Sequence, residues 1–273
     1  MINRNFKDFK FQHKKKINQV LFTSVNVKKK FEVLNLINNF LTEKNSFIFE
    51  SVEKGVIKGR YTIFGKNPDK IWEFNNNNSY LIKNNKKIKI KGEPKEIIKN
   101  TIENFKFKTP SNLPPICSLI SGYFSYDIIR YTEKIPNKCK DDLKLPDVRL
   151  LRPRTLIIHD NLKKKIFYIV NVFNDEKINN YEKKYSDIKK EINSLFTQSL
   201  INKNFPNLKK NNHNIKIKSN TSKNKFLNMV KKAKKYIKIG DIFQVVLSQR
   251  FEAKLSKKPI EIYKKLRITN PSP

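Results

Sequence analysis

The residues best placed to do chemistry lie in GDIFQVVLSQRF, residues 240–251. Read as a strand, its period of two sends Phe243, Val245, Leu247 and Phe251 to one face and Gln244, Val246, Ser248 and Arg250 to the other. The first face is core. The second offers an amide, a hydroxyl and a guanidinium, which can orient a small molecule through hydrogen bonds. Such a face is unusual on so apolar a strand unless it meets solvent or lines a cleft. On pattern alone the solvent face is favoured, because alternation is the ordinary signature of a half-buried strand.

No other grouping of side chains competes with this one. Cys117 and Cys139 are far apart and lie in no C-x-x-C pattern, so they read as two free thiols of a reducing compartment. His13, His159 and His213 stand near no Ser, Cys or carboxylate at a catalytic spacing and are assigned no role. The net charge of +35, from 59 Lys and Arg against 24 Asp and Glu, raises a nucleic-acid partner first. Arginine, the residue suited to forked contacts with bases and phosphates, is scarce, and the charge is almost all lysine mixed with Asn and Ile, as in NNNNSYLIKNNKKIKIKG. That mixture is what an AT-rich coding sequence over-supplies, so the expectation is a solvated surface and no nucleic-acid function. No apolar run approaches the roughly 18 residues that span a bilayer, and the basic N-terminus has no hydrophobic stretch behind it, so a soluble, cytoplasmic protein without a membrane partner is expected.

The elements that must position the 240–251 segment can be traced along the chain. Phe31, Leu34, Ile37 and Leu41 recur at helical spacing, and two β-rich runs follow around Lys54-Gly55. KIWEF, SYLIK and KIKIKG predict further short strands, the last two joined at Asn84-Asn85. EPKEIIKNTIENF predicts a helix, and SLISGYFSYDIIRYTEKIP a strand with a central Gly that passes at Asp127 into a short helix. RTLIIHDNLKKKIFYIVNVF is a hairpin signal around Asp160-Asn161. From Asn174 the composition shifts to a charged amphipathic helix and a polar linker. Beyond it come the strand NIKIKSN and a helix with Thr221 or Ser222 as N-cap, whose apolar face holds Phe226, Met229, Val230, Ala233 and Ile237 and which ends before Gly240; Pro259 then opens another helix.

The run KIGDIFQVVLSQRFEAKLSKKPIEIYKKLRITNPSP resembles the opening of the chorismate-binding domain in the anthranilate synthase component I family, and FESVEKGVIKGRYTIFG, SGYFSYDIIRYTE and LPDVRLLRPRTLIIHDN resemble that family's N-terminal region in order and spacing. The resemblance implies a sheet-rich α+β fold of the anthranilate synthase component I and aminodeoxychorismate synthase type, incomplete here. It divides the chain into an extension over 1–30, a regulatory region over 31–173, a helix and linker over 174–215 and the beginning of the catalytic domain over 216–273. It further implies conversion of chorismate and ammonia to anthranilate and pyruvate, the first step of tryptophan biosynthesis, a lyase reaction. The ammonia would come from a glutamine amidotransferase partner, component II.

In this picture Gln244 is the catalytic candidate of the chain. Relatives that add water carry Lys at its position. A Lys amine can take a proton from water and an amide cannot, whereas ammonia needs no such activation, so Gln244 would orient nucleophile or substrate. Feedback inhibition by L-tryptophan is implied at Glu50 and Ser51 together with Asn270, Pro271 and Pro273 of the NPSP turn. The acidic ligands for Mg2+ and the remaining catalytic groups belong to a part of the family sequence that follows residue 273, so no metal ligand is expected in this chain and the chain alone is expected to be inactive. Phe243, Val245, Leu247 and Phe251 would then lack part of their cover, which favours association. The alternatives are component I of aminodeoxychorismate synthase, which more often has Asn at the position of Val246, and a tryptophan-binding regulatory module without catalysis.

Overall fold

The computed structural model describes residues 2–27, 40–41, 43–50, 59–76, 78–105, 107, 109–138, 140–200, 216–255 and 257–270. The described residues up to 200 form one compact unit and those from 216 to 270 a second. The expected helix around 31–41 and the turn at Lys54-Gly55 fall almost wholly outside the described residues.

In the first unit the elements run α1 (Phe6–Lys14), β1 (Gln19–Asn26), β2 (Phe47–Phe49), β3 (Tyr61–Asn75), β4 (Asn78–Lys83), β5 (Lys86–Ile90), α2 (Pro94–Glu103), β6 (Ser121–Phe124), a 3-10 turn over Tyr126–Tyr131, β7 (Val148–Asp160), β8 (Lys165–Val172) and α3 (Tyr181–Leu200). The eight strands make one antiparallel sheet built on β3 and β7, which pair along nearly their whole length. At one end β2 flanks β3 and β8 with β1 flanks β7; at the other β4 with β5 flanks β3 and β6 flanks β7. The β3–β7 pair therefore serves two sets of neighbours, and the sheet curls between them.

The changeover has a local cause. Pro68 faces Pro153 across the pair, and neither imide can donate to the ladder. Asn67 takes a left-handed conformation with φ of 52°, and the register shifts between Pro68 and Lys70 so that Asp69 is the extra residue of a β-bulge. KIWEF, expected as a separate strand, is thus the second half of the single strand β3. The β4–β5 turn forms as expected: Asn84 and Asn85 have φ of 50° and 60°, as a type I′ hairpin needs.

Two apolar clusters fill the two ends. Val20, Phe22, Leu156, Ile158, Phe167 and Ile169 pack with Leu113 and Cys117 at one. Trp72, Phe74, Val148 and Leu150 pack with Ile98 of α2 at the other. The opposite face of β8 is covered by α3, where the Tyr168 ring meets Phe196 edge-on and its hydroxyl shares a 2.6 Å hydrogen bond with Ser199. Ile188, Ile192 and Leu195 of that helix are buried, each contributing about 1.5–3 kcal/mol relative to exposure. Phe9 of α1 closes the layer against Tyr181 and Tyr185.

Ion pairs tie the edges of this unit, and they set its response to acid. Burial alone would raise the carboxyl groups of Glu73, Asp160 and Glu176, but Lys87 and Arg149, Arg60, and Arg154 and Lys184 respectively hold them below the usual range. Burial also lowers His13 and His159, favouring their neutral forms. All five groups have folded-state values depressed below the unfolded ones, so each contributes stability that is present above its unfolded pKa and lost as pH falls through the folded one. Thermal melts are expected to show Tm falling from about pH 6.5, where unfolded histidine begins to protonate, and falling further through the carboxylate range near pH 4. A Tm that is flat from pH 7 to 3 would contradict this account.

The second unit comprises β9 (Ile217–Ser219), α4 (Lys223–Lys238), β10 (Phe251–Ala253) and α5 (Pro259–Thr269), with β9 and β10 paired antiparallel. Ser222 caps α4, its hydroxyl accepting from Lys225 N–H at 3.3 Å, and Pro259 opens α5. Phe226, Met229, Val230 and Ala233 are the half-buried side of α4, as their spacing predicts, but Ile237 is exposed.

Candidate functional site

Only Phe251 of the expected strand joins a ladder, as the first residue of β10; residues 244–250 have no strand partner among the described residues. Extended backbone without a neighbouring strand buries neither of its faces, and Phe243 is 93% exposed and Val246 81%. The face expected to be core is therefore largely open. Gln244 is exposed, and its amide has no partner among the described residues. Arg250 pairs with Glu252 at 2.8 Å, its N–H donates to Asn220 Oδ1, and its carbonyl accepts from Asn220 N–H. Ser219 donates to Gln249 Oε1 at 3.0 Å. These bonds fix where the strand begins, and they leave Gln244 and Ser248 facing outward with nothing drawn to them.

Glu50 is half-buried at the end of β2. That short strand is held at its place on β3 by Phe47, whose ring lies where a side chain at Gly65 would be, 2.2 Å from a Cβ built there. Asn270 closes α5, its N–H donating to Leu266 O at 2.8 Å, and is exposed. Ser51, Pro271 and Pro273 lie outside the described residues. Glu50 belongs to the first unit and Gln244 and Asn270 to the second, and each is placed within its own unit.

Sequence reading passed over the most elaborate polar cluster of the first unit. Arg152, 9% exposed at its side chain, grips Asp69 of the bulge with both ends of its fork, at 2.8 and 2.5 Å, and donates to Asp175 at 2.8 Å. Its guanidinium lies 3.9 Å over the Phe173 ring. Lys70 closes the group on Asp175. Burial would raise Asp175, but the hydrogen bonds from Lys70 and Arg152 bring it down to about 2. Burial works against the Arg152 charge too, and Asp69 and Asp175 more than restore it. The only signal in the sequence was Pro68-Asp69-Lys70 interrupting a β pattern.

Cys117 is a free, fully buried thiol that burial pushes up to about 11, which disfavours the thiolate at neutral pH. Among the described residues no group of three His, Cys, Asp or Glu could hold a metal ion, and no helix is long and apolar enough to cross a membrane.

Comparison with known proteins gives this arrangement its context. The family model described as chorismate binding enzyme matches residues 46–273. Anthranilate synthase component 1 of Acetivibrio thermocellus is 36% identical over 247 residues, covering 88% of this chain and 49% of that protein. The protein of the same name from Cereibacter sphaeroides is 28% identical over 277 residues, covering 98% of this chain and 55% of its own length. The crystal structure of anthranilate synthase component I from Streptococcus pneumoniae TIGR4 superposes with a TM-score of 0.64 at 27% identity, covering 91% of this chain and 54% of that one. The chain thus spans about half the length of the curated relatives it matches. Its mixed fold with a curled antiparallel sheet is the anthranilate synthase component I fold over the part it covers. A match that runs unbroken from β2 through the Gln244 segment to the last residue can be stated in one way: the chain belongs to the chorismate binding enzyme family.

Proposed function

We propose that this chain is the N-terminal portion of an anthranilate synthase component I, the enzyme that joins chorismate and ammonia and releases pyruvate to give anthranilate for tryptophan. The observation that carries the proposal is the 36% identity over 247 residues to a protein of that name, a stretch that takes in 88% of this chain. Residues 31–173 are assigned to the regulatory region and 216–273 to the start of the catalytic domain. The partner is a glutamine amidotransferase subunit, which fits the designation "component" in the names of the relatives. A cytoplasmic location accords with this chemistry.

In this proposal Gln244 contributes position. Its amide can donate two hydrogen bonds and accept at its oxygen, enough to orient ammonia or a substrate carboxylate, but it cannot withdraw a proton. Its exposure in the present chain agrees with a residue whose surroundings come from elsewhere. Mg2+ fits nothing among the described residues, and its acidic ligands are assigned to the part of the relatives that this chain does not span. The role of this chain is then to bind and orient, and we expect no turnover from it alone.

An anthranilate fluorescence assay with chorismate, ammonium and magnesium tests both statements. No product is expected from the 273-residue chain, and product is expected from a longer protein in which it is joined to the remaining half of a relative. In that longer protein Gln244→Ala is expected to lower ammonia-dependent turnover about tenfold, the value of one or two lost hydrogen bonds. Full activity of Gln244→Ala would remove the residue from the site.

The same longer protein is expected to bind L-tryptophan through Glu50, Ser51, Asn270, Pro271 and Pro273. A carboxylate, a hydroxyl and loop backbone suit an ammonium and a carboxylate. Titration calorimetry should show Glu50→Ala weakening tryptophan binding at least tenfold, as loss of a charge-assisted hydrogen bond predicts. Unchanged affinity would dissolve the regulatory assignment.

A further inference from the structure

Within the first unit a cleft of about 530 Å³ opens beside the Arg152 cluster, a volume in the range of small-molecule sites. One wall is apolar, made by Trp72 of β3 and Ile120 just before β6 with Ile97 and Phe105 from around α2. The floor carries Lys70, Arg152 and Asp175. Around the rim stand carboxamides, Asn100 and Asn104 at the last turn of α2 and Asn18 and Asn174 at the sheet end. Asn100 and Asn104 are exposed, and their side chains have no partner among the described residues. Neither Glu50 nor Asn270 lines this cleft.

Charge decides what such a cleft can take. Arg152 and Lys70 are matched by Asp69 and Asp175, so the cluster is neutral as a whole. Asp69 does not line the cleft and holds Arg152 from beneath, so a lone anion would meet the Asp175 carboxylate beside Lys70, and a lone cation would meet Lys70 beside Asp175. A molecule carrying both charges meets neither obstacle. The Lys70–Asp175 pair is the accessible part, with side chains 19% and 38% exposed, and a partly exposed pair is weak enough to open for a ligand. A carboxylate placed on Lys70 and an ammonium on Asp175 would turn one pair into two. Arg152 and Asp69 stay buried and joined underneath. The apolar wall lies beside them, where the substituent between the two charges would extend.

We propose that this cleft is a second amino-acid site, taking a free zwitterionic α-amino acid with an apolar side chain. It rests on the local geometry of the first unit and not on the catalytic reading. The test exploits a fact of composition: Trp72, the chain's single tryptophan, lines the cleft, so all tryptophan emission comes from one residue at its wall. The probes are L-phenylalanine and L-leucine, with 3-phenylpropanoate lacking the ammonium and 2-phenylethylamine lacking the carboxylate. Both amino acids are expected to change Trp72 emission saturably, and each half-analogue to bind at least tenfold more weakly. Lys70→Gln, which keeps the stem, and Asp175→Asn are each expected to weaken L-phenylalanine about tenfold, one charge-assisted hydrogen bond apiece. Glu50→Ala is expected to leave this binding unchanged, which separates the cleft from the tryptophan site proposed above. No saturable change with either amino acid, half-analogues that bind equally well, unaffected Lys70→Gln and Asp175→Asn proteins, or loss of the signal in Glu50→Ala would each overturn the proposal.

Discussion

Gly122→Ala is expected to unfold one end of the sheet, at a cost of about 3 kcal/mol, the upper end of the usual range for overpacking a site that cannot relax. Gly122 sits opposite Leu150 where β6 pairs with β7. A Cβ there would stand 1.9 Å from the carbonyl oxygen of Arg149 and 2.9 Å from Leu150 Cα. Both are backbone atoms of a central strand, which is itself held by β3 on its other edge, so β7 cannot yield. The displaced segment must be β6, and with it go Ile120, Ile128 and Tyr131, which pack on the Trp72, Phe74, Val148 and Leu150 cluster. Urea unfolding followed by Trp72 emission should show a midpoint well below that of the parent. The exposed neighbour Tyr123→Ala supplies the comparison and is expected to change stability by less than about 1 kcal/mol. A Gly122→Ala midpoint equal to the parent's would show that β6 is not seated as described.

Arg152→Met is the second large effect expected, about 3–5 kcal/mol of destabilisation, because it strands a carboxylate that has almost no access to water. Asp69 is 9% exposed and bonded to both ends of the Arg152 fork. Asp175 would keep Lys70 and lose less. If the damage comes from the orphaned charge and not from lost packing, Asp69→Asn in the same chain should restore a large part of the loss. Removing both members of a buried pair is far milder than removing one. Chemical denaturation of the two single variants and the double variant measures this directly. An Arg152→Met protein as stable as the parent, or a double variant no better than the single one, would show that the cluster does not hold the bulge in place.

These two sites mark the border between what could be read along the chain and what could not. The β4–β5 hairpin, the β7–β8 hairpin, the cap at Ser222 and the helix start at Pro259 were legible because each is decided within a few residues, by left-handed asparagines, a capping hydroxyl or a fixed proline φ. Gly122 was visible as a glycine in a strand, but the carbonyl it makes room for belongs to a strand 27 residues on. The continuity of β3 was hidden for a related reason. Pro68 and Asp69 stand between the two β-rich runs in sequence, and only the position of Pro68 opposite Pro153 makes that break a bulge within one strand.

By itself the sequence determined the local elements and, through GDIFQVVLSQRF and its companion segments, the family, because a run of residue types survives without knowledge of what each one touches. Tertiary structure alone decided where charge is buried. Asp69 and Arg152 are 83 residues apart and meet because the sheet folds one strand onto another. It also decided that Gln244 and Phe243 stand exposed in this chain, since period-two alternation names the two faces of a strand but burial depends on the elements that arrive to cover them.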